Sequence, residues 1–251
     1  MESFYLVVAV GAILAGFVQG LSGFGFGMVA MSFWAWFLEP QLAAVLAVWG
    51  AWMGQMLAAL SRRRASYWQT LMPFLLGGLL GVPMGTWLLP MLDAQMFKVF
   101  LGALMVVWCP LMLVSNRLGH VSVRSRAADG LAGLTGGVMG GLGGFTGVIP
   151  TLWTTMTGLP KDEQRAVIQN FNLATLSVTL LAYLGTGAIK SAMLPAIGVV
   201  AVAVVVPVLA GARLYVGISQ QAFRMIVLSL LTLSGLAMLA SALPPILARL
   251  G

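Results

Sequence analysis

Residues 3–38 carry no charged side chain, and seven more stretches of nearly the same character follow along the chain. Runs of this kind reach or exceed the roughly 20 residues that cross a hydrocarbon core. Turn and charge signals divide the chain into eight apolar blocks, approximately 4–38, 42–60, 69–91, 96–115, 128–158, 166–187, 192–212 and 222–247. The breaks fall at Glu39-Pro40, the arginine run 62–64, Asp93, the polar stretch 116–126, residues 161–165, Lys190 and residues 217–221. Only 8% of the residues are charged and 60% are hydrophobic, against roughly 25% charged in soluble domains. A soluble fold could not cover its surface with so few polar groups, so the chain reads as an all-α polytopic membrane protein with no room for a soluble domain.

The first and fifth blocks are too long for one straight span. A helix over residues 4–38 would be about 52 Å long, against a core of roughly 30 Å. Each of these blocks holds a glycine-rich stretch: GLSGFGFG at 20–27 and GLGGFTGV at 141–148. Glycine is the poorest helix former after proline, so these stretches are the expected places for a helix to break or fold back. The blocks also pair across the chain. Gly20-Leu21-Ser22-Gly23-Phe24 matches Gly141-Leu142-Gly143-Gly144-Phe145, and Trp34 and Pro40 match Trp153 and Pro160 with a one-residue difference. Residues 85–104 then match 211–230 without a gap, with Gly85 against Gly211, Phe97 against Phe223 and Lys98 against Arg224. Two matches in the same order predict an internal duplication, with one transmembrane repeat over 1–125 and a second over 126–251. Such repeats are typical of secondary transporters, whose substrate sites lie between the halves. Four full spans per half would make the repeats parallel, and a fold-back in each glycine-rich block would make them inverted.

The net charge of +7 does not imply a nucleic-acid partner. Residues 1–61 have no Lys or Arg, and six of the seven basic residues between 62 and 126 fall in two short connections, the positive-inside pattern. The N-terminus lacks the basic start of a secretory signal and reads as the first membrane segment. Cys109 is the single cysteine, so neither a disulfide framework nor a cysteine metal site is expected. All six acidic residues (Glu2, Glu39, Asp93, Asp129, Asp162 and Glu163) lie at block ends or connections, and His120 lies in a basic connection. Buried carboxylates are the usual basis of cation sites and proton relays in membranes. Their absence from mid-block positions leaves an anionic or neutral substrate. No phosphate-binding loop, dinucleotide fingerprint or catalytic constellation is visible, so neither an enzyme nor a cofactor is expected.

An anion can be held without a buried counter-charge by free backbone N–H groups at a half-helix N-terminus. The glycine stretches supply such ends, because glycine allows unusual backbone angles and close approach to the main chain. The substrate-binding candidates there are Gln19, Ser22, Gly23, Phe24 and Gly25 in the first half, and Gly144, Phe145, Thr146 and Gly147 in the second. Simple close packing of helices is the competing reading. In the sixth block, IQNFNLATLS places Gln169, Asn170 and Asn172 in apolar surroundings, where uncompensated amides are costly. Asn170 and Asn172 cannot share one helix face, whereas Gln169 and Asn172 do; Asn170 and Asn172 are the preferred candidates, with interhelical bonding as the alternative. Arg213, near the end of the seventh block, either snorkels to the interface or meets the anion at an entrance. Gln55, Thr151, Thr154 and Thr155 are weaker candidates. The tryptophans (Trp34, Trp36, Trp49, Trp52, Trp68, Trp87, Trp108 and Trp153) mostly stand near block ends, as interfacial anchors do.

With GFVQGLSGFGFGMV near the start, its echo GGVMGGLGGFTGVIP at mid-chain and the segments GVPMG and PVLAGARL before the last span of each half, the sequence resembles the TauE/SafE family of membrane permeases over essentially its whole length. The resemblance implies a permease of the inner membrane for sulfite, sulfoacetate or other organosulfonates, with export as the expected direction. A permease for another small anionic or sulfur metabolite, a membrane enzyme and a structural subunit are the rival readings. The expected partners are a small anionic substrate and the lipid bilayer, without nucleic acid; a homodimer is left open.

Overall fold

The computed structural model describes residues 2–61, 67–115, 125–214 and 220–250. The described residues form helices joined by short turns, and no strand occurs among them. The first block becomes α1 (Glu2–Ser22) and α2 (Phe26–Trp34), followed by α3 (Pro40–Ser61), α4 (Trp68–Leu88) and α5 (Ala94–Val114). The fifth block becomes α6 (Arg126–Gly143) and α7 (Val148–Met156), followed by α8 (Lys161–Gly185), α9 (Leu194–Leu214) and α10 (Gln220–Leu250).

Local chemistry explains most of the helix ends. The Asp93 carboxylate accepts from Met96 N at 2.7 Å and starts α5, and Ser125 Oγ accepts from Ala128 N at 3.1 Å and starts α6. Residues 161–165, expected as a connection, are instead the first turns of α8. Pro160 precedes that helix with its φ fixed, and Asp162 and Glu163 lie in its first turn, where carboxylates suit the helix dipole. The charge run therefore starts a helix rather than separating two. The arginine run 62–64 and His120 lie outside the described residues.

Among the described residues, seven helical segments are long and apolar enough to cross a membrane: Glu2–Ser22, Pro40–Leu60, Trp68–Met91, Ala94–Val114, Lys161–Gly185, Ser191–Arg213 and Met225–Pro245. The fifth apolar block supplies none of these segments. Its long stretch is cut into helices of 18 and 9 residues, because glycines fill its middle and a charged pair opens it. Outward-facing side chains are apolar, with Val202 78% and Val206 73% exposed, as a lipid-facing surface requires. The chain is a multi-pass membrane protein.

Both short helices turn back along the helix that precedes them. Trp34, at the end of α2, donates its indole N–H to Val7 O near the start of α1 (3.2 Å). Trp153, in α7, donates to Asp129 Oδ1 in the first turn of α6 (2.7 Å). Asp129 is only 3% exposed, so one acid expected at a polar block end is buried. Trp34 and Trp108 are buried as well; their indoles fix the fold internally and do not anchor at the interface, while Trp68 and Trp87 remain exposed.

Glycine sets the tightest helix contacts. A Cβ on Gly77, Gly81 or Gly85 of α4 would lie 1.9, 2.1 or 2.0 Å from a backbone oxygen of α6. The α1–α9 seam repeats this, with a Cβ on Gly20 falling 2.2 Å from Val208 O. Backbones this close gain dispersion contact that larger side chains would forbid. Replacing Gly81 by Leu should cost at least about 3 kcal/mol, because a rigid backbone oxygen rather than a flexible side chain must yield. Gly198 has open space around it, so Gly198→Ala should hold or slightly raise stability. Thermal unfolding of the detergent-solubilised variants checks both, and equal melting of the two would contradict the seam.

Candidate functional site

At the first break α1 ends at Ser22 and α2 begins at Phe26. Gly23 (φ 79°) and Gly25 (φ 96°) occupy left-handed backbone between them, a region that costs an L-residue about 1–2 kcal/mol. At the second break Gly144 (φ 77°) ends α6 in the same region. The breaks touch: a Cβ on Gly27 would lie 2.9 Å from Gly144 O and 3.0 Å from Gly143 O.

Between them lies a cavity with about 20 Å³ of room for water, slightly more than the roughly 10–15 Å³ one water needs. It gathers residues of five helices and both breaks. Of the sequence candidates, Gln19, Phe24, Gly25, Gly144, Phe145, Thr146, Gly147 and Asn172 form its wall. Ser22, Gly23, Asn170 and Arg213 do not. Ser22 is exposed and stabilises the break locally: its hydroxyl donates to Val18 O at 2.7 Å and also contacts Phe24 O. Asn170 is half-buried on another face of α8, as its angular offset from Asn172 requires. Arg213 is exposed in the last turn of α9, two residues beyond Gly211, whose Cβ position lies 2.4 Å from Phe17 O of α1. Only Phe24 and Gly25 of the wall are half-buried while the rest is buried, so the cavity opens at the first break.

No charged side chain lines the cavity; its polarity comes from backbone and amides. Gly25 caps α2 without a side-chain bond, and the first bond into that helix runs from Val29 N to Gly25 O (3.1 Å). The N–H groups of Phe26, Gly27 and Met28, all wall residues, are therefore left over at the helix start. The α7 N-terminus borders the same cavity through Gly147 and Val148, but Pro150 removes one of its donors, so α2 is the stronger positive end. An anion at one helix N-terminus gains about 0.3–1 kcal/mol, up to about 2 when partly buried. Removing its water costs several kcal/mol. One helix end is too little, and side-chain donors must contribute.

Three amides and a hydroxyl pin the breaks, and one of them, Asn172, keeps its nitrogen toward the cavity. Gln19 Nε2 of α1 donates to Ala51 O of α3 (2.9 Å), and Gln55 Nε2 of α3 donates back to Gly23 O (2.8 Å). These reciprocal bonds clamp the first break onto α3. At the second break Thr146 Oγ1 donates to Asn172 Oδ1 (2.8 Å), which leaves Asn172 Nδ2 facing Gly147, 3.0 Å from its Cβ position. On the same face of α8, Gln169 Nε2 stands 3.0 Å from the Cβ position of Gly23. Trp108 Nε1 donates to Val148 O (2.8 Å) and Tyr183 OH to Gly141 O (2.7 Å), securing the second break from α5 and α8. Gln55 belongs to the wall although sequence ranked it low; its one signal is an amide in an apolar run.

Membrane-capable helices, two short helices folded back at glycine breaks and a charge-free, donor-lined cavity between those breaks define a multi-pass membrane protein with an interior polar site. Within that class the chain belongs to the TauE/SafE family: the family model described as "Sulfite exporter TauE/SafE" matches residues 8–238, nearly the whole chain. No curated protein and no solved structure gives a significant match.

Two glycines separate the backbone requirement from the site. Gly144 and Gly187 both hold positive φ (77° and 70°), but Gly187 has open space around it and lies away from the cavity. Alanine at either costs about 1–2 kcal/mol of backbone strain. Gly144→Ala should also abolish transport while Gly187→Ala retains it, in flux assays normalised to folded protein. Equal fluxes would reduce the second break to a packing device.

Proposed function

We propose that this protein is a secondary permease that moves small sulfur-containing oxyanions, sulfite first among them and organosulfonates such as sulfoacetate next, across the cell's inner membrane. The observation that carries the proposal is the convergence of two half-helix N-termini on one cavity without a charged side chain. Such a site offers donors to an anion and gives a cation no carboxylate to pair with. Membership of a family described as sulfite exporters supports the same substrate class. An inside-negative membrane drives anions outward, which supports export.

The two halves, 1–125 and 126–251, act in this proposal as inverted repeats. What supports this is the fold-back of α2 on α1 and of α7 on α6, which adds a reversal to each half. The packing is also exchanged: α1 lies on α9 of the other half, and α6 on α4. The glycine-rich breaks are then re-entrant segments that meet at the repeat interface, and rocking of the repeats exposes the cavity alternately to the two sides. Arg213, exposed near the level of the first break, attracts the anion at an entrance. Whether two copies associate in the membrane does not enter this mechanism.

Counterflow in proteoliposomes containing only this protein tests the proposal against sulfite, sulfoacetate, taurine, sulfate and a short carboxylate. Saturable sulfite counterflow is expected, with sulfoacetate slower. Absence of saturable flux for every anion, from protein shown to be folded, would overturn it.

A further inference from the structure

We infer that Trp108 of α5 is a positioning residue that couples the mouth of the cavity to its far side, so that the two glycine breaks do not move independently. As a step in transport this rests on the permease reading above. The observation is one indole that touches both breaks. Trp108 is 3% exposed. Its Nε1 donates to Val148 O in the first turn of α7 at 2.8 Å, and its ring meets the Phe24 ring edge-on, with centroids 6.3 Å apart and planes at 89°. Phe24 and Val148 both belong to the cavity wall, and Trp108 does not. Phe24 stands half-buried at the mouth, whereas Val148 is buried beyond the second break. The indole therefore lies behind the wall and holds it at two places. Two turns earlier on α5, Phe100 meets Phe145 of the same wall (6.5 Å, 61°).

The other half of the chain shows what the hold on a short helix alone requires. Continuing the match of 85–104 with 211–230 by four residues sets Trp108 against Ser234 of α10. Ser234 Oγ donates to Ser32 O of α2 (3.2 Å), so the last helix of each half holds the short helix of the other. A serine suffices for that hold, and the indole adds the reach to Phe24. An indole is a rigid plane, and a close-packed interior transmits displacement. Swinging Phe24 inward to shut the mouth displaces the ring that faces it. A hydrogen bond weakens steeply as it departs from its preferred angle, so the tilt lifts the N–H from Val148 O. Both groups then lack a partner unless water reaches the second break. Closing the mouth thus favours the arrangement in which the far side opens.

Hydrogen exchange of the detergent-solubilised protein and sulfite counterflow in proteoliposomes test the coupling separately. Phe24→Leu, a change at the mouth, should raise deuterium uptake in α7 (Val148–Met156) relative to α4. Trp108→Phe keeps a ring toward Phe24 and drops the N–H; it should raise α7 uptake by itself, and Phe24→Leu should then add nothing. In counterflow, Trp108→Phe should lower the maximal sulfite flux per folded protein roughly three- to thirtyfold, with KM unchanged because Trp108 does not border the ligand. Unchanged α7 uptake in Phe24→Leu, additive effects in the double variant, or a raised KM at full maximal flux would overturn the inference. If Trp108→Phe does not fold, α7 uptake in Phe24→Leu decides alone. Coupled exchange without flux of any anion would remove the permease reading and leave the coupling of the two breaks standing.

Discussion

A peptide group released from a helix inside an apolar environment has no water to bond, and each one left unpaired costs several kcal/mol. The rest of this structure follows from that constraint. Glycines at positive φ break two helices in the interior, and the surroundings must then satisfy or shield what the breaks release. Gln55 takes up Gly23 O, Tyr183 takes up Gly141 O and Trp108 takes up Val148 O. What remains is a set of N–H groups at the start of α2 and one amide nitrogen on α8, all facing one small cavity. The fold pairs off most of the broken backbone and leaves donors at one place.

Packing ties those breaks to both halves of the chain. The glycine seams hold α1 against α9 and α6 against α4 at backbone contact, so each helix that leads into a break is carried by a helix from the other half. α8 reaches both breaks, with Gln169 beside Gly23 and Asn172 beside Gly147. A displacement of one break relative to α8 must therefore alter the cavity, which is the kind of coupling a permease working by alternating access requires.

Much of this was legible in the chain, for reasons that differ by residue. Glycines inside over-long apolar runs are expensive in a helix, so Gly23, Gly25 and Gly144 could be read as breaks before any coordinates. Asn172 and Thr146 stood out because polar side chains in apolar runs need a partner. The reversal of α2 and α7 was not decided by periodicity, since a kink and a fold-back use the same residues; it is set by Trp34 reaching Val7 and Trp153 reaching Asp129, contacts between residues far apart in sequence. The same reason hid Gln55, whose bond to Gly23 joins different helices, and made Trp34 and Trp108 look like interfacial anchors. Residues 161–165 misled because a charge run can either end a membrane segment or open a helix, and Pro160 with two acids in the first turn selects the second. The cavity, a property of five helices at once, has no local signature.

The central claim is that an oxyanion sits between the two glycine breaks on backbone and amide donors alone. Selenite, a heavier analogue of sulfite, makes the claim directly observable through the anomalous scattering of selenium in crystals of the protein. The account predicts one ordered selenium peak within hydrogen-bonding reach of the Phe26, Gly27 and Met28 N–H groups and of Asn172. Selenium bound elsewhere, with the cavity holding only water in protein that transports selenite, would contradict it.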